Sequence, residues 1–241
     1  MRVIAFVAFA AMCCGTVLAS LVPAKHGDFA HYTFALTWQP GICSTDGGCL
    51  RDQPRRPLIG LHGLWASRPR QLIRSGVTDP QWWSRGCDFY VHSTAAPRLD
   101  AYLHWALGNV MPHFAHGLLT HEYDKHVQCF GFDPTAFFST ELAMRHAVVE
   151  GGFGRFLISQ TGRTVTHAAV AYRFRLAFST DETRSLQLQC GRNRAGQTVL
   201  TQFWITIRTS ELAAFPRAVS LMNSPVNEDT CPATFRVPSW Q

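Results

Sequence analysis

Residues 121–129 bring two imidazoles, a carboxylate and an ammonium group into one short stretch of chain: His121, Glu122, Lys125 and His126. If the stretch is helical, residues four apart stack on one face, which pairs His121 with Lys125 and Glu122 with His126. A face of this kind is costly to bury for packing alone, because charged groups lose their hydration. The spacing therefore predicts a helical face that binds an anionic ligand and acts on it.

A second segment, His62-Gly63-Leu64-Trp65, places a histidine inside an apolar run. Taken alone, such a histidine is more often a hydrogen-bonded core residue than a catalyst. Gly63 permits a close backbone approach or an unusual dihedral angle, and Trp65 offers a flat face for stacking. Together with residues 121–129, the segment supplies two imidazoles of unperturbed pKa about 6.5, one to take a proton and one to give it. The nearby ammonium would stabilise charge on phosphate oxygens.

RNA suits this set of groups, because the ribose 2′-hydroxyl lies beside the phosphate and supplies the nucleophile. The enzyme then needs only a general base, a general acid and a charge clamp. DNA lacks that oxygen and would not react by this route. The sequence therefore favours phosphoryl transfer on RNA, and we expect no DNA cleavage, no metal and no other cofactor.

The elements that would position these groups follow from the periodicity of apolar residues. Alternating or continuous apolar runs predict strands at residues 32–38, 58–65, 186–190 and 198–208, the last two paired antiparallel around a turn at 191–196. Helices are predicted to follow Asp79 as the N-cap, from Leu99 to Pro112, over 121–129, from Asp133 to Gly151, and from Thr166 to about Phe178. Strands at both ends with helices between them, and no regular βαβ alternation, predict one α+β domain.

Residues 1–19 have one early positive charge, an apolar core and small residues before the predicted cut after Ala19, which is typical of a secretory signal peptide. A transmembrane anchor is a rival interpretation, but the run is shorter than the ~20 apolar residues that a span needs. A lipoprotein anchor at Cys13 or Cys14 is another, although the preceding residues suit cleavage poorly. We expect an exported protein, periplasmic or secreted, in which residues 20–241 form a single monomeric domain without membrane attachment.

The charge balance fits an anionic ligand without requiring one. The formal net charge is +6 at pH 7, and only 16% of the residues are charged. Such a composition is typical of a compact protein and differs from that of a disordered polycation. Nucleic acid or a membrane surface would satisfy the positive balance, and so would solubility alone.

Six of the eight cysteines remain after the signal peptide is removed: Cys43, Cys49, Cys87, Cys129, Cys190 and Cys231. An even number in an exported chain predicts three disulfides, although six cysteines allow fifteen pairings. Local spacing favours Cys43–Cys49, and a bond between Cys190 and Cys231 would close a long C-terminal loop. Cys87 would then pair with Cys129 and tie the charged segment to the chain before it. Zinc is the competing use of cysteine, but no Cys-x-x-Cys pair is present.

The two charged segments resemble the active-site segments of the ribonuclease T2 family, secreted endoribonucleases of low base specificity. The matching stretches are His62-Gly63-Leu64-Trp65, the residues from His121 to Cys129, and Leu36-Thr37-Trp38-Gln39-Pro40 with Cys43 after it. The resemblance covers essentially the whole mature chain in segment order and cysteine placement. Residues 130–134 are similar to the bacterial periplasmic branch, often called ribonuclease I. The resemblance implies an α+β domain around an antiparallel sheet, with no metal.

The resemblance also implies five catalytic residues and one substrate-binding residue: His62, His121, Glu122, Lys125 and His126, with Trp65 near the bound nucleotide. His126 would be the general base on the 2′-hydroxyl and His62 the general acid for the 5′-oxygen, with reversed roles when the cyclic phosphate is hydrolysed. His121 would hold the phosphate, while Glu122 and Lys125 would stabilise the transition state. Spacing alone does not show which histidine is the acid and which is the base.

Three residues differ from the family pattern. Ala66 stands where the family usually has proline, and we expect only a looser turn. Tyr123 replaces a common tryptophan and should point away from the reactive face. Val127 stands where glycine is typical, and we expect ordinary helix there, where valine costs only a fraction of a kcal/mol.

Two rival functions remain. The zinc-protease motif needs histidines four residues apart, whereas His126 follows His121 by five and would be turned by about 140° on a helix. A protein of the same fold that binds RNA without cleaving it is the second rival. We expect no catalytic role for the other histidines considered: His104, His113, His146 and His167. The basic residues Arg51, Arg55, Arg56, Arg68 and Arg70 fit phosphate contacts, but solvated loops are the commoner explanation.

Overall fold

The structure is a computed structural model that describes residues 21–46, 48–49 and 57–240 of the 241-residue chain. The predicted signal peptide at 1–19 and the arginines Arg51, Arg55 and Arg56 lie outside the described residues. In the described part, no helix is long and apolar enough to cross a membrane.

Strands flank a series of helices along the chain. In order, the elements are β1 (His31–Trp38), α1 (Gln39–Ser44), β2 (Ile59–Ala66), α2 (Arg70–Arg74), α3 (Asp79–Arg85), α4 (Ala101–Gly108), α5 (Leu118–His126), α6 (Pro134–Glu150), α7 (Gly152–Ser159), β3 (Arg163–Thr166), α8 (His167–Phe178), β4 (Leu186–Arg192), β5 (Thr198–Arg208) and β6 (Thr234–Val237). Short 3₁₀ turns lie at Gly86–Phe89, Phe114–His116, Gln128–Phe130, Thr209–Ala214 and Ala218–Ser220. This α+β arrangement confirms the predicted fold class.

The strands form one sheet in which β1 pairs with β2 on one side and with β5 on the other. β4 also pairs with β5, and β3 pairs with β6. All of these pairs are antiparallel, as the resemblance implied, while β5 and β6 meet in parallel at a single residue pair, Val199 and Arg236. The site described below lies where β2, β1 and β5 run side by side.

The apolar core covers one face of these three strands. Alternate residues of β1 point to it, and their partners across the sheet are also apolar: Phe34, Leu36, Leu61, Leu64, Phe203 and Ile205 are at most 1% exposed. The opposite face carries Ala35 and Thr37 of β1, opposite Trp204 and Gln202 of β5. Because side chains alternate along a strand, this second face presents small, polar and aromatic side chains next to His62.

Three disulfides join the pairs that the sequence predicted: Cys43–Cys49, Cys87–Cys129 and Cys190–Cys231. The second bond links the turn at Gly86–Phe89 to the segment that follows α5. A Cβ atom on Gly86, whose φ is +53°, would overlap the carbonyl oxygen of Lys125. This turn therefore packs directly against the backbone at the C-terminal end of α5 and holds that end in place.

Several helix boundaries agree with the predicted capping residues, and one does not. Asp133 and Thr166 cap α6 and α8, with side-chain oxygens that accept from the amides of Ala136 and Ala169. The N-cap of α3 is Thr78 and not Asp79, because Thr78 forms a reciprocal pair of hydrogen bonds with Gln81. α4 is shorter than predicted, since Asp100 caps its start and the helix ends at Gly108.

The sequence analysis missed α1, α2, α7, β3 and β6. α7 begins at Gly152, immediately after the glycine that was expected only to end the preceding helix. β3 and β6 have four residues each and pair across about seventy residues of chain. Strands this short have too little periodicity to be recognised locally, and only their distant partners define them.

Two expectations about the departures from the family pattern were wrong. Val127 is not in ordinary helix, because α5 ends at His126 and Val127 has φ −126° and ψ −48°. It is not strained in the left-handed region either, and its side chain is 1% exposed in the core. Ala66 lies in strand β2, opposite Tyr32, rather than in a turn. Tyr123 packs against Phe138 of α6, away from the histidines, as expected.

Candidate active site

A β-bulge in β2 directs His62 toward the polar face of the sheet. Ala35 is opposite Gly63 and Leu36 is opposite Leu61, so His62 has no partner residue on β1. An extra residue of this kind bends the strand and redirects a side chain, and such bulges are frequent beside active sites. The bulge explains why a histidine in an apolar strand does not point into the core.

Both ring nitrogens of His62 face oxygen atoms. Nδ1 lies 2.9 Å from Oε1 of Gln202 on β5, and Nε2 lies 3.5 Å from Oε1 of Glu122 on α5. The His62 side chain is 25% exposed, whereas that of Glu122 is 3% exposed. The imidazole is therefore fixed from two elements and still reaches solvent, as a group that exchanges protons with a bound substrate must.

Trp65 connects the two halves of the site. The strand half contains His62 on β2, and the helix half contains the four predicted site residues of α5. Its indole Nε1 donates a 2.6 Å hydrogen bond to Oε2 of Glu122. Gly63 makes this contact possible, because a Cβ atom there would overlap the same carboxylate oxygen and would lie 2.7 Å from the indole nitrogen. Of the two roles that the sequence allowed at Gly63, a close approach or an unusual dihedral angle, the structure shows a close approach, by the side chains of Trp65 and Glu122.

α5 carries the remaining predicted site residues. The ring of His126 lies 5.5 Å from that of Trp65 and 6.4 Å from that of His121, between centroids. His62 contacts the edge of the same indole at 5.0 Å. His121 is exposed, Lys125 and His126 are partly buried, and Glu122 is buried. The structure thus brings all six predicted site residues together, although the four on α5 differ in how far they are exposed to solvent.

Burial and charge set the protonation of the helix half. Desolvation lowers the pKa of His126 well below its usual 6.5, and the positive charges of Lys125, His121 and His62 lower it further. Burial raises the pKa of Glu122, while His62, the Trp65 hydrogen bond, His121 and Lys125 oppose that rise. The imidazole of His126 is therefore neutral at neutral pH and able to accept a proton.

One group in the described part of the chain has metal-ligand spacing. Donor atoms of His121, Glu122 and His126 lie within 4.8 Å of one another. The two histidines are five positions apart, and His126 is the last residue of the helix. The Trp65 donor already engages the carboxylate, and the charge of Lys125 lies close by, so these surroundings disfavour a cation.

Three residues around the site escaped the sequence analysis. Gln202 and Trp204 alternate with the apolar residues that defined β5, and a polar and an aromatic residue two apart on one strand were the available signal. Glu141 on α6 is 1% exposed, and a carboxyl group in an apolar helix was its signal. Burial raises the pKa of Glu141 well above the usual range, and the charge of Glu122 raises it further.

Four residues that were expected to lie outside the site are partnered elsewhere or exposed. His104 packs edge-on against Phe114, and His146 is exposed on α6. His167 does pair with a carboxylate, Asp229, at 2.8 Å, which its local sequence could not show. Arg68 forms an ion pair with Asp79 at 3.2 Å and donates a hydrogen bond to the carbonyl of Val77, so its guanidinium has partners within the protein.

Comparisons with known proteins agree with this geometry. Ribonuclease I of Escherichia coli (strain K12) is 28% identical over 237 residues, covering 88% of this chain and 87% of that protein. Among solved structures, Japanese pear S3-RNase superimposes with a TM-score of 0.60 at 17% identity, over 86% of this chain and 98% of that one. Ribonuclease MC1 from bitter gourd seeds gives 0.56 at 22% identity, over 86% and 100%. These structures share the fold.

Fold and site together define an α+β protein of the ribonuclease type, with paired histidines on a strand and a helix. The sequence profile of the Ribonuclease T2 family matches residues 29–217, and the chain belongs to that family. The relationship to Escherichia coli ribonuclease I supports its placement in the bacterial branch. The family is one of endoribonucleases, and the chain is assigned to that class of enzyme.

Proposed function

We propose that the protein cleaves single-stranded RNA with low base specificity by metal-independent transphosphorylation. The observation that carries this proposal is the contact of both histidine rings with one indole, His62 at 5.0 Å and His126 at 5.5 Å from Trp65. Two imidazoles, one on each side of the site, suit the two proton transfers at a phosphate. Low base specificity rests on family membership alone.

In the first step, the neutral imidazole of His126 removes the proton of the ribose 2′-hydroxyl. The oxygen attacks the adjacent phosphorus, the bond from phosphorus to the 5′-oxygen breaks, and His62 protonates the leaving oxygen. The products are a 2′,3′-cyclic phosphate and a 5′-hydroxyl. In the second step, His62 removes a proton from water, which attacks the cyclic phosphate. The bond from phosphorus to the 2′-oxygen breaks, His126 protonates that oxygen, and the product is a 3′-phosphate. The lowered pKa of His126 supports its role as the first base.

The other charged groups of α5 would stabilise the charges that develop on the phosphate and on His62. Lys125 and the exposed His121 supply positive charge where the nonbridging oxygens become more negative. Glu122 lies 3.5 Å from Nε2 of His62, where a carboxylate stabilises the imidazolium that must donate a proton. Trp65 orients Glu122 through its hydrogen bond and leaves its ring next to the bound nucleotide.

The export of the protein is also part of the proposal. Residues 1–19 would be removed as a signal peptide, and residues 20–241 would act as a single monomeric domain, periplasmic or secreted. Three disulfides in a chain of this size support an oxidising compartment. N-terminal sequencing of the exported protein should begin at Ser20, and light scattering should give the mass of one chain.

Cleavage of bulk RNA in EDTA tests the proposed reaction. We expect release of acid-soluble nucleotides by the wild type and loss of release in His62→Ala and His126→Ala. His146→Ala is the matched control, because His146 is exposed on α6 and outside the site. EDTA-sensitive cleavage would contradict the metal-free mechanism. RNA binding without cleavage by the wild type would instead identify a catalytically silent RNA-binding protein of the same fold.

A further inference from the structure

The Gln202 carboxamide places a single oxygen between two donors. Its Oε1 lies 2.9 Å from Nδ1 of His62 and 3.1 Å from Nε1 of Trp204. The three residues come from two strands, and His62 and Gln202 are 140 residues apart in sequence. Since Gln202 and Trp204 are two apart on β5, they point to the same face of the sheet and meet His62 there.

The contact with Trp204 fixes which way the amide of Gln202 points. The oxygen and nitrogen of a carboxamide are normally distinguished only by their hydrogen-bond partners. An indole N–H is a donor and never an acceptor, so the atom facing Trp204 must be the oxygen. The same oxygen faces His62, and it can only accept. Nδ1 of His62 must therefore carry a hydrogen.

The tautomer of His62 follows from this arrangement. A neutral imidazole carries one hydrogen, so a hydrogen on Nδ1 leaves a lone pair on Nε2. Nε2 is the nitrogen on the side of Glu122 and of the α5 residues. The proton that enters and leaves the ring does so at Nε2, which faces the centre of the site.

The backbone explains why Trp204 fits at this position. Ala35 of β1 lies directly opposite both Trp204 of β5 and Gly63 of β2. Ala35 contributes only a methyl group and Gly63 only a hydrogen atom, so there is room for the large indole of Trp204 on this face of the sheet. The ring of Trp204 packs edge-on against that of Trp65, with centroids 5.6 Å apart.

We propose that Gln202, oriented by Trp204, is a positioning residue that holds His62 in the Nδ1–H tautomer and presents Nε2 to the phosphate. This inference rests on the proposed role of His62 as a proton donor and acceptor. An amide oxygen is neutral, so it selects the tautomer without binding the ring permanently in its charged form. His62 can then be the acid in the first step and the base in the second, as the two-step reaction requires.

The chemistry differs from that of a carboxylate at the same place. A second carboxylate, facing Nδ1 in addition to Glu122 near Nε2, would stabilise the imidazolium further and would hinder its return to the neutral base. In the described part of the chain, the titratable groups that act on this site from α5 are Glu122, His121, Lys125 and His126. The β5 side contributes the uncharged Gln202 and Trp204. The protein therefore places charge on the Nε2 side of His62 and a neutral acceptor on the Nδ1 side.

Nitrogen-15 NMR of the mature protein with labelled histidine tests the tautomer without any activity measurement. At a pH where His62 is neutral, we expect the Nδ1–H form in the wild type. Trp204→Phe keeps an aromatic ring but loses the donor, and Gln202→Met keeps the length but loses the acceptor. Both should give a mixture of tautomers. A wild-type Nε2–H form, or an unchanged tautomer in both variants, overturns the inference.

Kinetics separate positioning from simple stability. Gln202→Met should lower kcat about 10- to 100-fold with little change in KM, the range found for residues that orient metal-bound imidazoles. Gln202→Glu should shift the alkaline limb of cyclic-phosphate formation to higher pH and slow the second step, so that 2′,3′-cyclic phosphate accumulates. No accumulation and no shift in this variant would contradict the inference. Gln197→Met, in the β4–β5 turn, is the control and should leave rates and tautomer unchanged.

The failure of this inference differs from the failure of the proposed function. If His62→Ala keeps full cleavage, the proposed acid–base mechanism fails, whatever tautomer NMR reports. If His62→Ala is inactive and the wild type has the Nε2–H tautomer, the mechanism stands and the role of Gln202 is wrong. If Gln202→Met does not fold, Trp204→Phe and Gln202→Glu still decide between these outcomes.

Discussion

His62 and His126 contact the same indole, but the protein controls them by different means. His62 lies on a strand, where the hydrogen bond from Nδ1 to Gln202 orients its ring and the Glu122 carboxylate lies 3.5 Å from Nε2. His126 lies at the end of a helix, where desolvation and the charges of Lys125, His121 and His62 lower its pKa. One imidazole is controlled mainly by orientation and the other mainly by the electrostatic environment. In the proposed mechanism the two rings have different roles in each step, one as base and one as acid, and their surroundings differ accordingly.

The largest expected effect comes from removing each histidine in turn and changing the leaving group. His62→Ala and His126→Ala should each lower kcat/KM on RNA by about 10²- to 10⁴-fold, the usual contribution of a general acid or base. On a nucleoside 3′-aryl phosphate, whose leaving group needs no proton, His62→Ala should recover most of its rate while His126→Ala should not. The absorbance of the released phenolate, followed over time, measures this difference. Recovery in His126→Ala instead would reverse the acid and base assignments.

Removing the charge of Lys125 tests the electrostatic control of the helix half. Lys125→Met should lower kcat by about 100-fold, because a stabilising donor for the phosphate oxygens is lost. It should also raise the pKa of His126, since the Lys125 charge helps to lower it. The acid limb of the pH–rate profile should then move to higher pH, and a flat wild-type profile from about pH 4 to 9 would contradict the two-histidine mechanism. Lys125→Arg is the matched control and should keep the acid limb in place.

A methyl group at Gly63 should break the hydrogen bond between Trp65 and Glu122, which connects the strand half of the site to the helix half. In Gly63→Ala the Cβ atom would overlap the Glu122 carboxylate and crowd the Trp65 indole. We expect a loss of about 1–3 kcal/mol of stability from overpacking and a fall in kcat of about tenfold, of the size that the loss of one hydrogen bond to a charged group produces. Thermal unfolding and steady-state kinetics measure the two effects. Gly108→Ala, whose Cβ would lie 3.4 Å from Phe114, is the control with ordinary contacts.

The smallest expected effect on activity concerns Glu141, the buried carboxyl group near Glu122. Because burial raises its pKa in the folded state, the folded protein binds its proton more tightly than the unfolded chain. The stability from this group is therefore present below the unfolded pKa of about 4.5 and is lost as the pH rises toward the folded pKa. Glu141→Gln should match the wild type near pH 4 and melt at a higher temperature at pH 7.

Thermal unfolding followed by circular dichroism at several pH values measures the Glu141 effect. Each unit of raised pKa corresponds to about 1.4 kcal/mol. Glu150→Gln is the control, because Glu150 is exposed at the end of the same helix. A Glu141→Gln variant that melts below the wild type at pH 7 would show that the carboxyl group is stabilising in its charged form.

The sequence predicted those elements whose signals are local. Asp133 and Thr166 cap the helices that they were expected to cap, because the capping bond joins residues three apart. The strands at β1 and β5 follow from alternation over eight or more residues. β3 and β6 were missed because four residues carry little pattern. Val127 was misplaced because α5 ends at His126, and the Val127 side chain after it is buried in the core.

The same division applies to the candidate site. Residue types and their order along the chain predicted His62, Trp65, Glu122 and His126, and the structure brings them together. Gln202 and Trp204 were missed because their relation to His62 depends on the register of β5 against β1 and on the bulge in β2. A shift of the register by one residue would turn both side chains to the opposite face.

The sequence by itself determined which chemical groups are present and how they are spaced in each segment. It did so because these properties depend on residue type and on neighbours a few positions away. Only the tertiary structure decided which nitrogen of His62 faces which oxygen and how far His126 departs from its ordinary pKa. The reason is that hydrogen-bond partners, desolvation and neighbouring charges come from β2, β5 and α5 together, and folding alone brings those elements within a few ångströms.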